Sequence, residues 1–267
     1  RKNNNFLGVI SNLNNTISIA WVDVSTGCFK SRQIGGDETF NQKQLLTNFL
    51  LRMDFSEILI SENMNLDYIM EEWHPIIKKQ DPSLFHYKSC FDQICSYYSI
   101  VSLEGIGSFS KGEIIAAGVL LNYLKLTQCG KLPFLSMIKS ETISDFLEID
   151  YFTQKSLEIL KNLSGDYEGS LISCIDETKT ASGARLLKQR IIEPFYNTNQ
   201  IQAKYDLTNW ILNKNIDISK NQKSLQNIPD LERSLSRISL SRGGPKDLLL
   251  ISTGLLHIKD IYKNLVS

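Results

Sequence analysis

The stretch 228–267 constrains the fold more than any other part of this sequence, because it carries apolar residues at helical spacing on both sides of a glycine break. Leu231, Leu235 and Ile238 recur at steps of four and three residues, which predicts that they share the buried face of one helix. The Gly-Gly-Pro sequence at 243–245 can end that helix and start another. The second helix carries an apolar seam at Leu248, Ile251, Leu255, Ile258, Tyr262 and Leu265. Because this seam is still running at the last residue, we expect its partner or its continuation to lie in a longer protein.

The length and charge of the chain limit the classes of protein it can be. A chain of 267 residues predicts two domains, and 42% apolar residues is sufficient for packed cores. The 29 basic and 29 acidic side chains give a net charge of zero, so the chain is not a basic nucleic-acid-binding module by charge alone. A local basic patch stays compatible with this balance.

The cysteines and histidines show no metal-site spacing. None of the five cysteines forms a Cys-x-x-Cys pair, which favours a reducing cytoplasm, where cysteines act as small buried apolar residues. The three histidines are far apart, so we expect no zinc site. The sequence has no signal peptide and no apolar run long enough to span a membrane. It begins with arginine rather than methionine, which indicates a segment of a longer protein.

The first half of the chain alternates strand and helix signals. Residues 6–34 predict three antiparallel strands joined by short turns. We expect a helix capped by Asp37, then a short buried strand at 57–60, a turn-rich region at 81–110 and a helix at 111–128. Strands followed by alternating helices and strands predict an α/β domain with a mixed sheet.

After Pro133 the sequence favours helices without strands. We therefore place a domain boundary near residue 138, which gives an α/β domain at 1–138 and an all-α domain at 139–267. The first helix of the second domain is predicted at 151–163, with one apolar side made of Phe152, Ile159 and Leu163.

Three blocks of the second half resemble the core domain of the MutS family of DNA mismatch-repair proteins, and they occur in the order found in that family. The block at 150–159 reads Asp-Tyr-Phe-Thr-Gln-Lys-Ser-Leu-Glu-Ile. The block at 176–188 reads Asp-Glu-Thr-Lys-Thr-Ala-Ser-Gly-Ala-Arg-Leu-Leu-Lys, and Glu-Pro follows at 193–194. The block at 230–248 contains Asp-Leu-Glu-Arg, Arg-Ile-Ser-Leu and Gly-Pro-Lys-Asp-Leu.

Two blocks of the first half resemble the connector domain of the same family. They read Trp-Val-Asp-Val-Ser-Thr-Gly at 21–27 and Ala-Ala-Gly-Val-Leu-Leu-Asn-Tyr-Leu at 116–124. This resemblance implies a ribonuclease-H-like fold without known nuclease activity for the first domain. It implies a partial core, or lever, domain for the second domain, continuing beyond the chain end.

The resemblance implies a non-catalytic role for this chain. It would couple mismatch binding to the ATPase of the parent protein and would offer a docking face for MutL. The parent would bind mismatched double-stranded DNA, ATP and Mg²⁺ and would act as a homodimer. For this chain alone, the resemblance implies no cofactor and a monomer.

The residues that carry the resemblance in the second domain are expected to have structural and interdomain roles. No catalytic, cofactor-binding or metal-binding residue is assigned. These signature residues are Asp176, Thr178, Gly183, Arg185, Leu187, Pro194, Asp230, Leu231, Glu232, Arg233, Pro245 and Asp247.

The motifs that would carry mismatch recognition and ATP hydrolysis in the family are not matched in context. Phe55-Ser-Glu57 and Phe146-Leu-Glu148 match the three-residue Phe-x-Glu mismatch wedge, but both lie in the wrong domains and lack its flanking residues. The phosphate-binding pattern Gly-x4-Gly-Lys-Ser/Thr is absent. The Gly-Gly-Pro-Lys sequence at 243–246 is better interpreted as a turn between two helices.

Two other functions compete with the coupling role. A metal-dependent nuclease would need several convergent carboxylates, for which Asp23, Asp54, Glu57 and Glu62 are the candidates. The favoured interpretation of Asp23 is instead that its side chain stabilises the turn at 25–27. The other alternative is a MutS-related protein that acts in recombination rather than in mismatch repair.

A basic helix face is a further candidate for contact with DNA. Arg185, Lys188 and Arg190 could contact phosphates, whereas the favoured interpretation is a solvated helix face or a set of interdomain ion pairs.

Overall fold

In the computed structural model, the described residues are 5–35, 42–53, 55–65, 71–127, 134–141, 146–147, 149–214 and 218–266. They form two compact units, Asn4–Ile143 and Ser144–Ser267. The first unit continues a few residues past the predicted boundary, because the short strand Lys139–Ser140 still pairs with its sheet. The predicted helix cap Asp37 and the candidate carboxylate Asp54 lie outside the described residues.

The first unit is built on a mixed sheet. Three strands, β1 (Phe6–Leu13), β2 (Thr16–Asp23) and β3 (Cys28–Ile34), form the predicted antiparallel meander. The strands β4 (Phe55–Ser61), β5 (Ile77–Gln80) and β6 (Lys139–Ser140) add parallel pairings. The order across the sheet is β5-β4-β1-β2-β3-β6. The predicted mixed-sheet α/β fold is therefore confirmed.

Helices cover both faces of the sheet, because successive strand residues point to opposite faces and both sets are apolar. Helix α1 (Gln42–Arg52) packs on one face, in a cluster that includes Trp21 and Phe49. Helices α2 (Tyr87–Tyr98) and α3 (Lys111–Thr127) pack on the other face, in a second cluster. Two 3₁₀ turns, Glu71–Ile76 and Pro82–Phe85, flank β5.

The helix α2 corrects the prediction of a turn-rich region at 81–110. Its buried residues are Cys90, Ile94 and Cys95, and its packing against α3 compensates for a sequence of weak helix formers. A methyl group added at Gly118 of α3 would lie 2.3 Å from Cys90 Cβ. The absence of a side chain at Gly118 thus lets the two helices come close enough to stabilise α2.

A capping box that the sequence analysis missed anchors the start of α3. The Glu113 backbone N–H donates to Ser110 Oγ at 3.2 Å, and the Ser110 backbone N–H donates to Glu113 Oε2 at 2.8 Å. Glu113 is also buried and accepts hydrogen bonds from Ser31 Oγ at 2.8 Å and Ser140 Oγ at 2.6 Å. The Ser-x-x-Glu spacing was a sequence signal for the box, whereas its contacts with two strands depend on the tertiary fold.

The described part of the second unit is helical, as predicted. Its helices are α4 (Tyr151–Ser156), α5 (Leu171–Ile175), α6 (Ala181–Ile192), α7 (Thr198–Asn213), α8 (Ile218–Gln226), α9 (Leu231–Ser239) and α10 (Pro245–Val266). An isolated antiparallel bridge joins Phe146 to Phe195. Among the described helices of both units, none combines the length and apolarity that crossing a bilayer requires.

The predicted helix at 151–163 is wrong beyond its first six residues. Helix α4 stops at Ser156, and Glu158 takes a positive φ of 50°. The Glu158 side chain then accepts a hydrogen bond from the Leu163 backbone N–H at 2.7 Å, which closes a compact loop. Of the predicted apolar side, Ile159 is buried, while Phe152 and Leu163 are exposed.

The predicted buried face of α9 is also wrong at its centre. Leu235 is 48% exposed, and the buried residues of this helix are Ser234 and Ser236. Leu231 lies against α10, where a methyl group added at Gly254 would come within 2.6 Å of its Cδ2. The absence of a side chain at Gly254 therefore lets α10 approach α9 at Leu231, whereas Leu235 stays about half exposed.

Candidate functional site

Arg185 is the centre of a group of signature residues that the structure brings together within the helical unit. It lies in α6, it is 8% exposed, and its guanidinium contacts the start of α9. The two contacted carboxylates belong to Asp230 and Glu232, which are more than forty residues away in the sequence. We call these three residues the Arg185 cluster.

Local hydrogen bonds fix the position from which Arg185 reaches α9. Thr180 caps α6 by accepting the Gly183 backbone N–H at 3.0 Å. A side chain at Gly183 would crowd this cap, since an added Cβ would lie 2.8 Å from Thr180 Oγ1. Upstream, Asp176 Oδ1 accepts the Thr178 backbone N–H at 3.0 Å and its hydroxyl at 2.5 Å. These turns set the first turn of α6 and hence the direction of Arg185.

The geometry of the Arg185 cluster is a forked hydrogen-bonded ion pair. Arg185 Nη1 donates to Asp230 Oδ2 at 2.7 Å, and Arg185 Nη2 donates to Asp230 Oδ1 at 2.9 Å. Arg185 Nη2 also donates to Glu232 Oε2 at 2.6 Å. Only arginine offers a planar fork that can satisfy both oxygens of one carboxylate and still reach a second.

Asp230 serves two elements at once. Its side chain caps α9 by accepting the Arg233 backbone N–H at 3.4 Å, and Arg233 Nε lies 3.5 Å from its Oδ2. Asp230 therefore joins the N-terminus of α9, where a negative charge is favoured, to the buried arginine of α6.

The electrostatics of the cluster favour the charged forms of its members. Hydrogen bonding to Asp230 raises the pKa of the Arg185 guanidinium above its ordinary value, although burial opposes this. Burial alone would raise the pKa of Asp230, but the hydrogen bonds and positive charge of Arg185 outweigh it and leave that pKa below its ordinary value. Glu232 is 55% exposed, so water screens its share of the pair.

A second ion pair, which the sequence analysis missed, connects α9 to α10. Arg237 Nε donates to Asp247 Oδ1 at 2.9 Å, and Arg237 Nη2 donates to Ser234 Oγ at 3.0 Å. Asp247 also accepts the Gly244 backbone N–H at 3.1 Å, so it closes the first turn of α10 behind Pro245. The sequence signal for this ion pair was a basic residue in the last turn of α9 and an acidic residue in the first turn of α10, on either side of the Gly-Gly-Pro sequence.

The remaining signature residues have local roles. Leu187 is half-buried in α6, and the carbonyl oxygen of Pro194 accepts the Leu147 backbone N–H at 2.8 Å. Leu231 packs over Gly254, and Pro245 begins α10. The expected interdomain role of the signature residues stays a prediction.

Arg185 is not part of a phosphate-contacting face. Its guanidinium is buried against two carboxylates, whereas Arg190 on the same helix is exposed. Arg185 therefore forms an ion pair within the helical unit, and the expected interdomain ion pairs stay a prediction. The cluster holds both carboxylates in hydrogen bonds to Arg185. What it can do physically is hold α6 and α9 in one register, because displacing either helix would break hydrogen bonds to buried charges.

The candidate nuclease carboxylate Asp23 stabilises a turn. Its Oδ1 accepts the Ser25 backbone N–H at 2.9 Å, the Ser25 hydroxyl at 2.6 Å and the Asn5 backbone N–H at 3.2 Å. Glu57 accepts the Tyr123 hydroxyl at 2.8 Å, and Glu62 is exposed. Across the described part of the chain, no three His, Cys, Asp or Glu side chains come together as metal ligands. The predicted turn role of Asp23 is confirmed.

The phenylalanines of the two Phe-x-Glu strings pack against other aromatic rings, and Glu148 of the second string lies outside the described residues. Phe55 is buried in β4 and packs near Phe6 and Phe49, with ring centroids 6.0 Å and 6.3 Å apart respectively. Phe146 stacks on Phe195 at 5.8 Å. Both phenylalanines therefore have packing roles where the structure describes them.

Comparison with known families divides the chain in the same order as the fold. A model described as MutS domain II matches residues 5–136, and a model described as MutS domain III matches residues 152–267. The first match covers the mixed-sheet unit, and the second covers the helical unit with the Arg185 cluster.

Curated relatives match almost the whole chain. It is 38% identical over 258 residues to the DNA mismatch repair protein MutS of Wolbachia pipientis wMel, a match that covers 95% of this chain and 30% of that protein. It is 33% identical over 254 residues to the protein of the same name from Dinoroseobacter shibae, covering 95% of this chain and 28% of that protein. A third, from Ruegeria pomeroyi, is 34% identical over 261 residues, covering 95% and 28% respectively. The chain thus spans less than a third of the length of these relatives.

Proposed function

Because the chain belongs to the MutS family of DNA mismatch-repair proteins, we propose that it is a non-catalytic coupling segment of such a protein. Its two units correspond to the connector and to part of the core, or lever. They relay the state of the mismatch-binding region to an ATPase elsewhere in the parent protein. For the parent protein, this proposal includes the binding of ATP, Mg²⁺ and mismatched DNA, the formation of a homodimer and a cytoplasmic location.

The Arg185 cluster carries this proposal. Relaying a state over a distance needs elements that move as units, with a small number of discrete arrangements. The forked pair to Asp230 makes α6 and the start of α9 such a unit, and the pair Arg237–Asp247 extends it to α10. A rigid three-helix path of this kind is suited to transmission rather than to chemistry.

The nuclease alternative is not advanced, because Asp23 already accepts hydrogen bonds from its own turn. The recombination alternative shares the coupling role and differs in the DNA structure that the parent recognises. Docking of MutL on the mixed-sheet unit is part of the proposal, and a binding titration of purified MutL against this chain tests it.

The first experiment uses the 267-residue chain alone. We expect no ATP hydrolysis, and we expect G·T heteroduplex and matched homoduplex to bind equally weakly, with binding that falls as salt rises. A preference for G·T beyond about tenfold, or roughly 1.4 kcal/mol, would overturn the proposal. That outcome would place a recognition element within residues 1–267.

The second experiment tests coupling in a full-length protein. This chain replaces the matching segment of the Wolbachia MutS, and the chimera is compared with its Arg185→Lys and Arg190→Lys variants. Lysine keeps the charge but loses the forked hydrogen bonds. For Arg185→Lys we expect near-parental heteroduplex binding and a loss of mismatch-stimulated ATP hydrolysis of roughly fivefold, as for a coupling energy of about 1 kcal/mol. If mismatched DNA stimulates ATP hydrolysis by the chimera, and stimulates both variants equally, coupling through the Arg185 cluster is excluded.

A further inference from the structure

Residues 134–141 form a strap that runs along the edge of the sheet in the first unit. The strap passes so close to Gly27 that an added Cβ there would lie 2.1 Å from the Phe134 carbonyl oxygen. The Ser136 backbone N–H donates to the Gly27 carbonyl at 2.8 Å. Gly27 also has a positive φ of 78°, so the turn before β3 requires glycine for two reasons.

The first part of the strap is fixed by apolar burial and by tyrosines. Leu135 and Ile138 are buried in the core cluster formed with α2 and α3. The Leu135 backbone N–H donates to the Tyr97 hydroxyl at 2.9 Å, and the Tyr98 hydroxyl donates to the Ser136 carbonyl at 2.7 Å. Salt does not screen these contacts, so this part is expected to stay attached.

The last part of the strap, residues 139–141, is fixed differently. It pairs with β3 through two residues only, and Lys139 is exposed. Glu141 ends the strap, with Oε1 2.6 Å from Lys30 Nζ and Oε2 3.1 Å from Arg32 Nη2. The Glu141 backbone N–H donates to the Ser31 carbonyl at 2.8 Å. Ser140 Oγ donates to the buried Glu113 Oε1 at 2.6 Å. Polar and charged contacts therefore hold this end.

We call the contact of Glu141 with Lys30 and Arg32 the clasp, and we expect it to be less stable than the rest of the strap. A short strand held by charges at a sheet edge opens more easily than a segment with buried leucine and isoleucine. Arg32 also stacks on Phe49 of α1, with its Cζ 5.3 Å from the ring centroid, so the basic side of the clasp is rigid. Opening therefore moves the strap end and not β3.

We propose that the strap is a releasable arm whose end is held on the sheet by a charged clasp. When the clasp opens, residues 139–141 leave β3, while Leu135 and Ile138 remain buried. The inference stands on contacts within the first unit alone.

Tryptic cleavage after Lys139 measures the opening, because a protease needs a locally extended segment. We compare the 267-residue chain with Lys30→Met, which weakens the clasp without changing the sequence around the cleaved bond. Lys78→Met, an exposed lysine on the opposite edge strand β5, is the matched control. We expect Lys30→Met to speed cleavage roughly fivefold, which corresponds to the upper end of the energies of partly exposed ion pairs. Lys78→Met should be cleaved at the same rate as the parent. Raising salt to about 0.5 M should speed cleavage of the parent more than that of Lys30→Met.

Hydrogen exchange of Glu141→Gln gives an independent measurement. Exchange should rise at residues 139–141 by about tenfold, since both clasp pairs are weakened, and stay unchanged at Leu135 and Ser136. Equal cleavage of the parent and Lys30→Met would overturn the proposal. An equal rise in exchange along the whole strap would also overturn it, because the strap would then open as one piece.

Discussion

Replacing Arg185 by alanine is expected to lower the free energy of unfolding of the helical unit by about 3 kcal/mol. Removing one partner of a buried ion pair typically costs roughly 3–5 kcal/mol, because the other charge is left buried. Asp230 is 19% exposed and keeps its contacts with Arg233, which places this case at the lower end of that range. Glu232 adds little, since its side chain is 55% exposed.

Urea unfolding followed by helical circular dichroism measures the effect, with Arg190→Ala as the control. Arg190 lies on the same helix but is exposed, so its loss should cost no more than about 0.5 kcal/mol. The Arg185→Lys variant should fall between the two, because lysine keeps the charge without the fork. In a double-mutant cycle, Arg185→Ala and Asp230→Ala should couple by at least roughly 1 kcal/mol. If Arg185→Ala and Arg190→Ala unfold alike, the cluster does not hold α6 to α9.

Three further predictions follow from the packing and the charges. Gly118→Ala should destabilise the first unit by about 2 kcal/mol or more, because its methyl group would overlap Cys90, whereas Gly105→Ala meets no atom within 4 Å and should be nearly neutral in thermal melts. Leu235→Ala should cost less than about 1 kcal/mol and Leu231→Ala more, since Leu231 lies against Gly254 of α10 and Leu235 is 48% exposed. The reverse order of the two variants in urea titrations would restore the predicted helix face. The lowered pKa of Asp230 stabilises the fold at pH values above its unfolded-state value near 3.8, and this stability is lost as the pH falls through the lower folded value. As the pH is lowered, the free energy of unfolding should therefore fall more for the parent than for Arg185→Ala. Parallel curves of unfolding free energy against pH would contradict this role of Asp230.

The division into a strand-rich and a helical part could be predicted from the sequence because it rests on local periodicity. The three N-terminal strands and the helix α3 follow from alternating and helical apolar patterns, and the structure has them where they were predicted. The cap of α6 at Thr180 was equally local, since a side-chain oxygen reaches an N–H only three residues away.

The errors occurred where a distant contact decides the local structure. The helix α2 has weak intrinsic preference and exists because Cys90 packs on Gly118, twenty-eight residues later. A helical period shows that Leu231, Leu235 and Ile238 can share an arc, but the approach of α10 over Gly254 decides which part of that arc is buried. Periodicity gives the width of an apolar face and not the direction from which its partner comes.

The sequence by itself determined the family, the order of the two units and the residue types of the Arg185 cluster, because motifs and periods are properties of neighbouring residues. Only the tertiary structure decided that the buried partner of Arg185 is Asp230, and that Arg237 pairs with Asp247. An arginine in a sequence is compatible with a phosphate contact, a solvated surface or a buried ion pair. Which of these it becomes depends on the carboxylates that folding brings within hydrogen-bonding distance and on how much water folding excludes around them.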